Sequence, residues 1–129
     1  MRTPDIATSM LRLAESLVLL AAPASEQIAW CERHGWCVDE LGLDFDWAAG
    51  WVVPRVDEQA PGLLSGSLRD VLVRIGERLA EMSGPGGSAR WDAEGLAEDS
   101  PWAEIRQMAG RALDEIVKLD VVIVIPRPS

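Results

Sequence analysis

The first apolar positions of the chain recur at three- and four-residue steps: Ile6, Met10, Leu13, Leu17 and Leu20. That spacing lines one face of an α-helix. Ahead of it, Thr3-Pro4-Asp5 supplies an N-cap, a first-turn proline and an early acid, and Pro23 supplies the stop. A second helix is expected from Ser25, acting as its cap, through Ile28, Ala29 and Trp30 to a terminating Gly35. Between Leu41 and Val52 two periods compete. Leu41, Leu43, Phe45 and Trp47 alternate as in a strand, whereas Leu41, Phe45, Ala48, Ala49 and Val52 follow a helical stripe. No neighbouring run offers a partner strand, so a helix over about 44–53, ending before Pro54, is the better reading.

The Pro, Gly and Ser content of 57–66 predicts a loop. Ser67-Leu68-Arg69-Asp70 then has capping-box spacing and opens a helix whose face is Leu68, Val71, Leu72, Ile75, Leu79 and Met82. Ser83 to Ser88 is a glycine-rich break. A short helix is expected over Trp91 to Ala97. Asp99 or Ser100, with Pro101, begins a long helix with the stripe Trp102, Ile105, Met108, Ala109, Ala112, Leu113, Ile116 and Leu119. The tail Val121–Ile125 is β-branched throughout and stops at Pro126, which favours a strand. A packed extended segment, a continued helix and a strand paired with a partner all stay open for it. The pattern as a whole predicts a mainly α fold: an irregular bundle of about five helices in one domain, 1–129, with an extended or β C-terminal tail.

Composition sharpens this outline mainly through charge. A chain of 129 residues suits one core and needs no metal or disulfide to fold. Its net charge of −9 sits in two blocks. The first holds Glu26, Glu32, Asp39, Glu40, Asp44, Asp46, Asp57 and Glu58 against only Arg33 and Arg55. The second, Asp92, Glu94, Glu98, Asp99 and Glu104, contains no basic residue. Such a surface repels nucleic acid and anionic lipid and attracts basic partners, although acidity also simply keeps proteins soluble. The most apolar N-terminal stretch, Leu11 to Ala24, is broken by Arg12 and Glu15 and is too short to span a membrane. Leu17 to Ser25 has the look of a signal-peptide core, but Asp5 and Glu15 argue against one. A cytoplasmic protein with two reduced cysteines is the expectation. Arg, Ala and Gly in place of Lys, Ile and Asn, with Lys118 the one lysine, point to a GC-rich bacterial genome.

Candidate chemistry is thin. There is one histidine, His34, no Gly-x-Ser-x-Gly elbow and no phosphate-binding loop, so neither catalysis nor a cofactor is expected. The alternative is a small metal-binding regulator or enzyme using Cys31, His34 and Cys37, three zinc-competent side chains within seven residues. It lacks a fourth ligand unless Asp39 or Asp44 serves. The carboxylates around Asp39 to Asp46 lack the ligand spacing of a calcium loop. Trp102 lies on a core stripe, whereas Trp47 and Trp51 stand one helical turn apart among acids. Large aromatics beside carboxylates are a composition that meets Arg- or Lys-rich surfaces. The candidate contact surface is therefore Asp39, Glu40, Asp44, Asp46, Trp47 and Trp51, joined by Asp92, Glu94, Glu98 and Asp99. A structural homodimer joined through the Val121–Ile125 tail is a further alternative.

The order of elements carries one resemblance. A capped N-terminal helix leads to the acidic turn Val38-Asp39-Glu40-Leu41-Gly42-Leu43-Asp44-Phe45-Asp46 and a Leu-rich helix. The break Met82-Ser83-Gly84 and the helix announced by Trp91 and Pro101-Trp102 follow. Together these resemble a group of small actinobacterial proteins similar to immunity proteins of polymorphic-toxin and contact-dependent inhibition systems. The resemblance implies a cytoplasmic antidote that binds a cognate, often basic, toxin domain. It carries over no functional residue.

Overall fold

The computed structural model of the protein describes residues 6–82, 93–98 and 100–119. These form six helices in chain order: α1 (Ile6–Ala21), α2 (Ala24–His34), α3 (Asp39–Gln59), α4 (Gly66–Met82), α5 (Ala93–Glu98) and α6 (Ser100–Val117). No strand occurs among the described residues, and the fold is a mainly α-helical bundle. The Thr3-Pro4-Asp5 cap, the Ser83–Ser88 break, Trp91 and the Val121–Ile125 tail lie outside the described residues.

The centre of the bundle is α1. Met10, Leu13, Ala14, Leu17, Leu19 and Leu20 are buried, and so are Ser9 and Ser16, so the helix is enclosed on most of its circumference. It packs against α3 and α6, and α4 closes on α6. Phe45, Val52 and Val56 of α3, Leu68, Ile75 and Leu79 of α4, and Trp102, Ile105 and Ile116 of α6 meet in one hydrophobic cluster. Each such buried side chain contributes about 1.5–3 kcal/mol, more than the roughly 1 kcal/mol net of a typical hydrogen bond. Apolar burial therefore drives assembly. No single helix among the described residues is long and apolar enough to cross a membrane; only α1 and α2 together have that length and composition, and they are bent by 117° at their break.

Several boundaries differ from the sequence expectation. The second helix begins at Ala24, directly after Pro23, whose carbonyl accepts the amides of Glu26 and Gln27 at 2.9 and 3.0 Å. Ser25 thus lies inside the first turn and does not cap it. Gly35 does close the helix, in the left-handed conformation (φ 66°), with the Trp36 amide donating to the Cys31 carbonyl at 2.9 Å. The third helix is twice the expected length, starting at Asp39 and running through Pro54 to Gln59. At its start the Glu40 carboxylate accepts the Cys37 amide at 3.3 Å, one half of a capping box, and Asp39 and Glu40 favour the positive helix end.

Pro54 is tolerated inside α3 because it stands on the solvent side. The carbonyl it deprives of a donor is that of exposed Gly50, and the Arg55 guanidinium donates to the neighbouring Trp51 carbonyl at 3.2 Å. The expected loop 57–66 shrinks to the turn 60–65. There Ser65, rather than Ser67, caps α4, its hydroxyl accepting the Leu68 amide at 3.1 Å.

Besides Ser9 and Ser16, a larger polar side chain sits inside this apolar frame. Gln27 of α2 has no exposed surface. Its Nε2 donates to the carbonyls of Leu19 and Leu20, both at 3.0 Å, and these belong to the last turn of α1, which has no intrahelical donors left. Its Oε1 accepts from Arg106 of α6 at 3.0 Å, and the same Arg106 nitrogen donates to the Leu96 carbonyl of α5 at 3.1 Å. Burial pulls the Arg106 pKa down from its usual value, with no carboxylate paired to it among the described residues. Gln27→Leu conserves bulk but leaves the buried Leu20 carbonyl without a partner, while Leu19 keeps the Ala22 amide at 3.3 Å and Arg106 keeps the Leu96 carbonyl. A buried group left unpaired costs about 1–3 kcal/mol, so urea denaturation of this variant is expected to show a loss of that size.

Candidate functional site

The α3 helix has two working faces. Leu41, Phe45, Ala48, Val52 and Val56 enter the core, and the opposite side carries Glu40, Leu43, Trp47 and Gly50 at helical spacing. Leu43 and Trp47, one turn apart, keep 60% and 58% of their surfaces exposed. A scattered exposed leucine needs no explanation, but an adjacent Leu and Trp on one face form a patch.

The tryptophans of this face are held in place. Trp47 and Trp51 stack with ring centroids 6.0 Å apart and planes within 4°. The Arg12 guanidinium of α1 lies over the Trp47 ring at 5.1 Å, and that of Arg55 lies over Trp51 at 4.3 Å. Arg12 also pairs with Asp44. The result is a column, Asp44–Arg12–Trp47–Trp51–Arg55, in which each indole meets a cation as well as its neighbour. Beside it the Gly35 turn brings up Trp36, half-buried, which meets Trp30 edge-on at 6.1 Å. Trp36, Glu40, Leu43, Asp44, Trp47 and Arg12 line a shallow groove of about 280 Å³.

Several of the acids expected on a contact surface have internal partners. Asp44 is the partner of Arg12 and only 17% of its side chain is exposed. Glu40 caps α3. Asp57 accepts two hydrogen bonds from Arg69, at 2.6 and 2.9 Å, which hold its pKa below the ordinary carboxylate value. Glu104 accepts from Arg78, across α4 and α6. Asp39, Asp46 and Glu58 are exposed on α3, with no salt bridge among the described residues. Of the second block, Asp92 and Asp99 lie outside the described residues, and so do the side chains of Glu94 and Glu98. The structure therefore gathers Asp39, Glu40, Asp44, Asp46, Trp47 and Trp51 on α3. Leu43, Trp36, Arg12 and Arg55 join them unanticipated.

Cys31, His34 and Cys37 are not gathered as a ligand set. No group of three or more His, Cys, Asp or Glu able to hold a metal occurs among the described residues. Cys31 is buried and Cys37 exposed. Burial, with smaller contributions from Glu40 and Cys37, pushes the Cys31 thiol pKa up, away from the thiolate that metals and electrophiles require. His34 stacks on Trp30 at 3.8 Å and its Nδ1 donates to the Trp30 carbonyl at 3.0 Å.

Asp46 is an exposed residue, yet neighbouring groups crowd its carboxyl enough to raise its pKa. A raised carboxylate favours the folded state while protonated. That contribution is complete below the ordinary carboxylate pKa of about 3.9 and is lost as pH rises through the higher folded value. Asp46→Asn is therefore expected to add less than about 1 kcal/mol of stability at pH 7, given solvent screening, seen as a higher thermal midpoint, and to match the parent near pH 3. Thermal melts of both proteins across that range provide the check. The chain matches no protein-family model, no curated protein and no solved structure.

Proposed function

We propose that the protein is a protein-binding module, an immunity-type inhibitor that lays the outer face of α3 on a basic toxin domain. The observation that carries this reading is the exposed Leu43–Trp47 pair, on a stretch of α3 that also exposes Asp39 and Asp46. Binding energy at protein interfaces concentrates in a few central aromatic anchors, and tryptophan is prominent among them. An anchor fixed before the encounter loses less side-chain entropy on binding. Arg12 and Arg55 fix both tryptophans in that way. The unpaired carboxylates add long-range attraction for a basic surface, which accelerates encounter and weakens with salt. Inhibition of a toxin adds no chemistry of its own: covering a basic active site suffices.

The test is binding to the product of the adjacent gene, measured pairwise with purified proteins. Trp47→Ala is expected to weaken the complex about thirtyfold or more, the scale of a hot-spot residue, and to cost only about 1–2 kcal/mol of stability through the lost stack and cation–π contact, so that the variant stays folded. Asp39→Lys is expected to slow association at low salt, with the difference vanishing at high salt. Absence of a complex with any neighbouring product, or a complex indifferent to Trp47→Ala and Leu43→Asp together, would remove the reading.

A further inference from the structure

The groove beside Trp36 has a more specific chemistry than the patch around it. We infer that it receives one arginine side chain of the protein partner, with the Glu40 carboxylate as counter-ion. The inference rests on the protein-binding reading above and names what the partner must supply.

Size comes first. A groove of about 280 Å³ falls below the roughly 300–1,000 Å³ of sites for drug-sized ligands, and suits a single side chain entering from a facing surface. Charge comes next. Three ionised groups line the groove: Arg12, Glu40 and Asp44. Arg12 and Asp44 pair with each other and cancel. Glu40 accepts only the Cys37 amide, through Oε1 at 3.3 Å, and no other hydrogen bond or ion pair engages it among the described residues. The groove therefore carries one uncompensated negative charge on its wall.

Shape then favours arginine over lysine. Trp36 gives the groove an indole and Leu43 an aliphatic side chain, surfaces on which a flat, weakly hydrated guanidinium packs well, beside Trp47, which already carries Arg12 and Trp51. The protein already displays the arrangement. One turn along α3 from Glu40, the Asp44 carboxylate holds the Arg12 guanidinium over the Trp47 ring. Glu40 and Trp36 line the same groove, a carboxylate and an indole together, and no arginine of this chain pairs with that carboxylate among the described residues.

The probe is N-acetyl-arginine-methylamide, titrated into isotopically labelled full-length protein and followed through the indole NH resonances. The neutral isostere N-acetyl-citrulline-methylamide serves as control. Trp36 and Trp47 resonances, assigned with single Trp→Phe variants, are expected to shift saturably with the arginine amide in the millimolar range, and not with citrulline. Glu40→Gln keeps an oxygen for the Cys37 amide, so the helix start survives. It is expected to weaken the response about fivefold or more, as loss of one partly screened ion pair. An equal response to citrulline, no shift with either amide, shifts confined to other tryptophans, or an undiminished response in Glu40→Gln overturns the inference. A silent groove beside a Trp47-dependent complex removes the arginine and leaves the docking face. A complex indifferent to Trp47 removes the face itself.

Discussion

The amide of Gln27 holds together the ends of helices that apolar packing alone would leave loosely registered. Hydrophobic burial brings α1 against α3 and α6, but it is non-directional and tolerates small slides between helices. The Gln27 amide is directional. It donates to two carbonyls of the last turn of α1, and its oxygen orients the Arg106 guanidinium, which reaches the Leu96 carbonyl of α5. A buried polar network with every tie made is costly to distort, because any displacement leaves a partner unpaired in low dielectric. The position of α1 follows from this node. So does the position of Arg12, two turns back along α1.

The candidate surface depends on that placement. Arg12 is the only member of the aromatic column that does not come from α3, and it joins the core helix to the exposed one. The core stripe of α3, Leu41 to Val56, fixes the rotation of the helix, and this rotation in turn forces Leu43 and Trp47 outward. Exposure of the patch is thus a by-product of burying the opposite face well. Pro54 would have ended a helix enclosed on all sides. On the solvent side, four residues after a glycine, it only leaves one carbonyl without its helical donor.

Much of the fold was legible because periodicity reports core faces directly. The stripes of α4 and α6 contain nearly all the residues that those helices bury, whereas α1 also buries Ser9, Ala14, Ser16 and Leu19, which its stripe does not mark. Boundaries were less legible. Ser67 and Ser65 both precede an apolar run, and only the backbone decides which hydroxyl reaches an amide. The length of α3 was hidden by Pro54, since sequence alone cannot say which side of a helix a proline will occupy. At the site, Trp47 and Trp51 were visible as a pair one turn apart. Leu43 and Arg55 could have been found by extending the same spacing by four residues in each direction. Arg12 could not, since its contact with Asp44 spans 32 residues and depends on how α1 packs. Asp44 looked like a free carboxylate for the same reason.

The column has one further effect, on how copies of the protein meet one another. Arg55 is committed to an indole face and Arg12 to an indole and Asp44, so neither neutralises Asp39, Asp46 or Glu58. A dimer formed about a two-fold axis sets each residue of a patch against the same patch on its mate. An axis through Leu43 and Trp47 would therefore set two copies of one acidic helix face against each other, a repulsion that weakens as salt screens it. The symmetry of self-pairing thus turns the carboxylates beside the apolar surface against a second copy of the same face, a cost that a positively charged and unrelated surface would not meet.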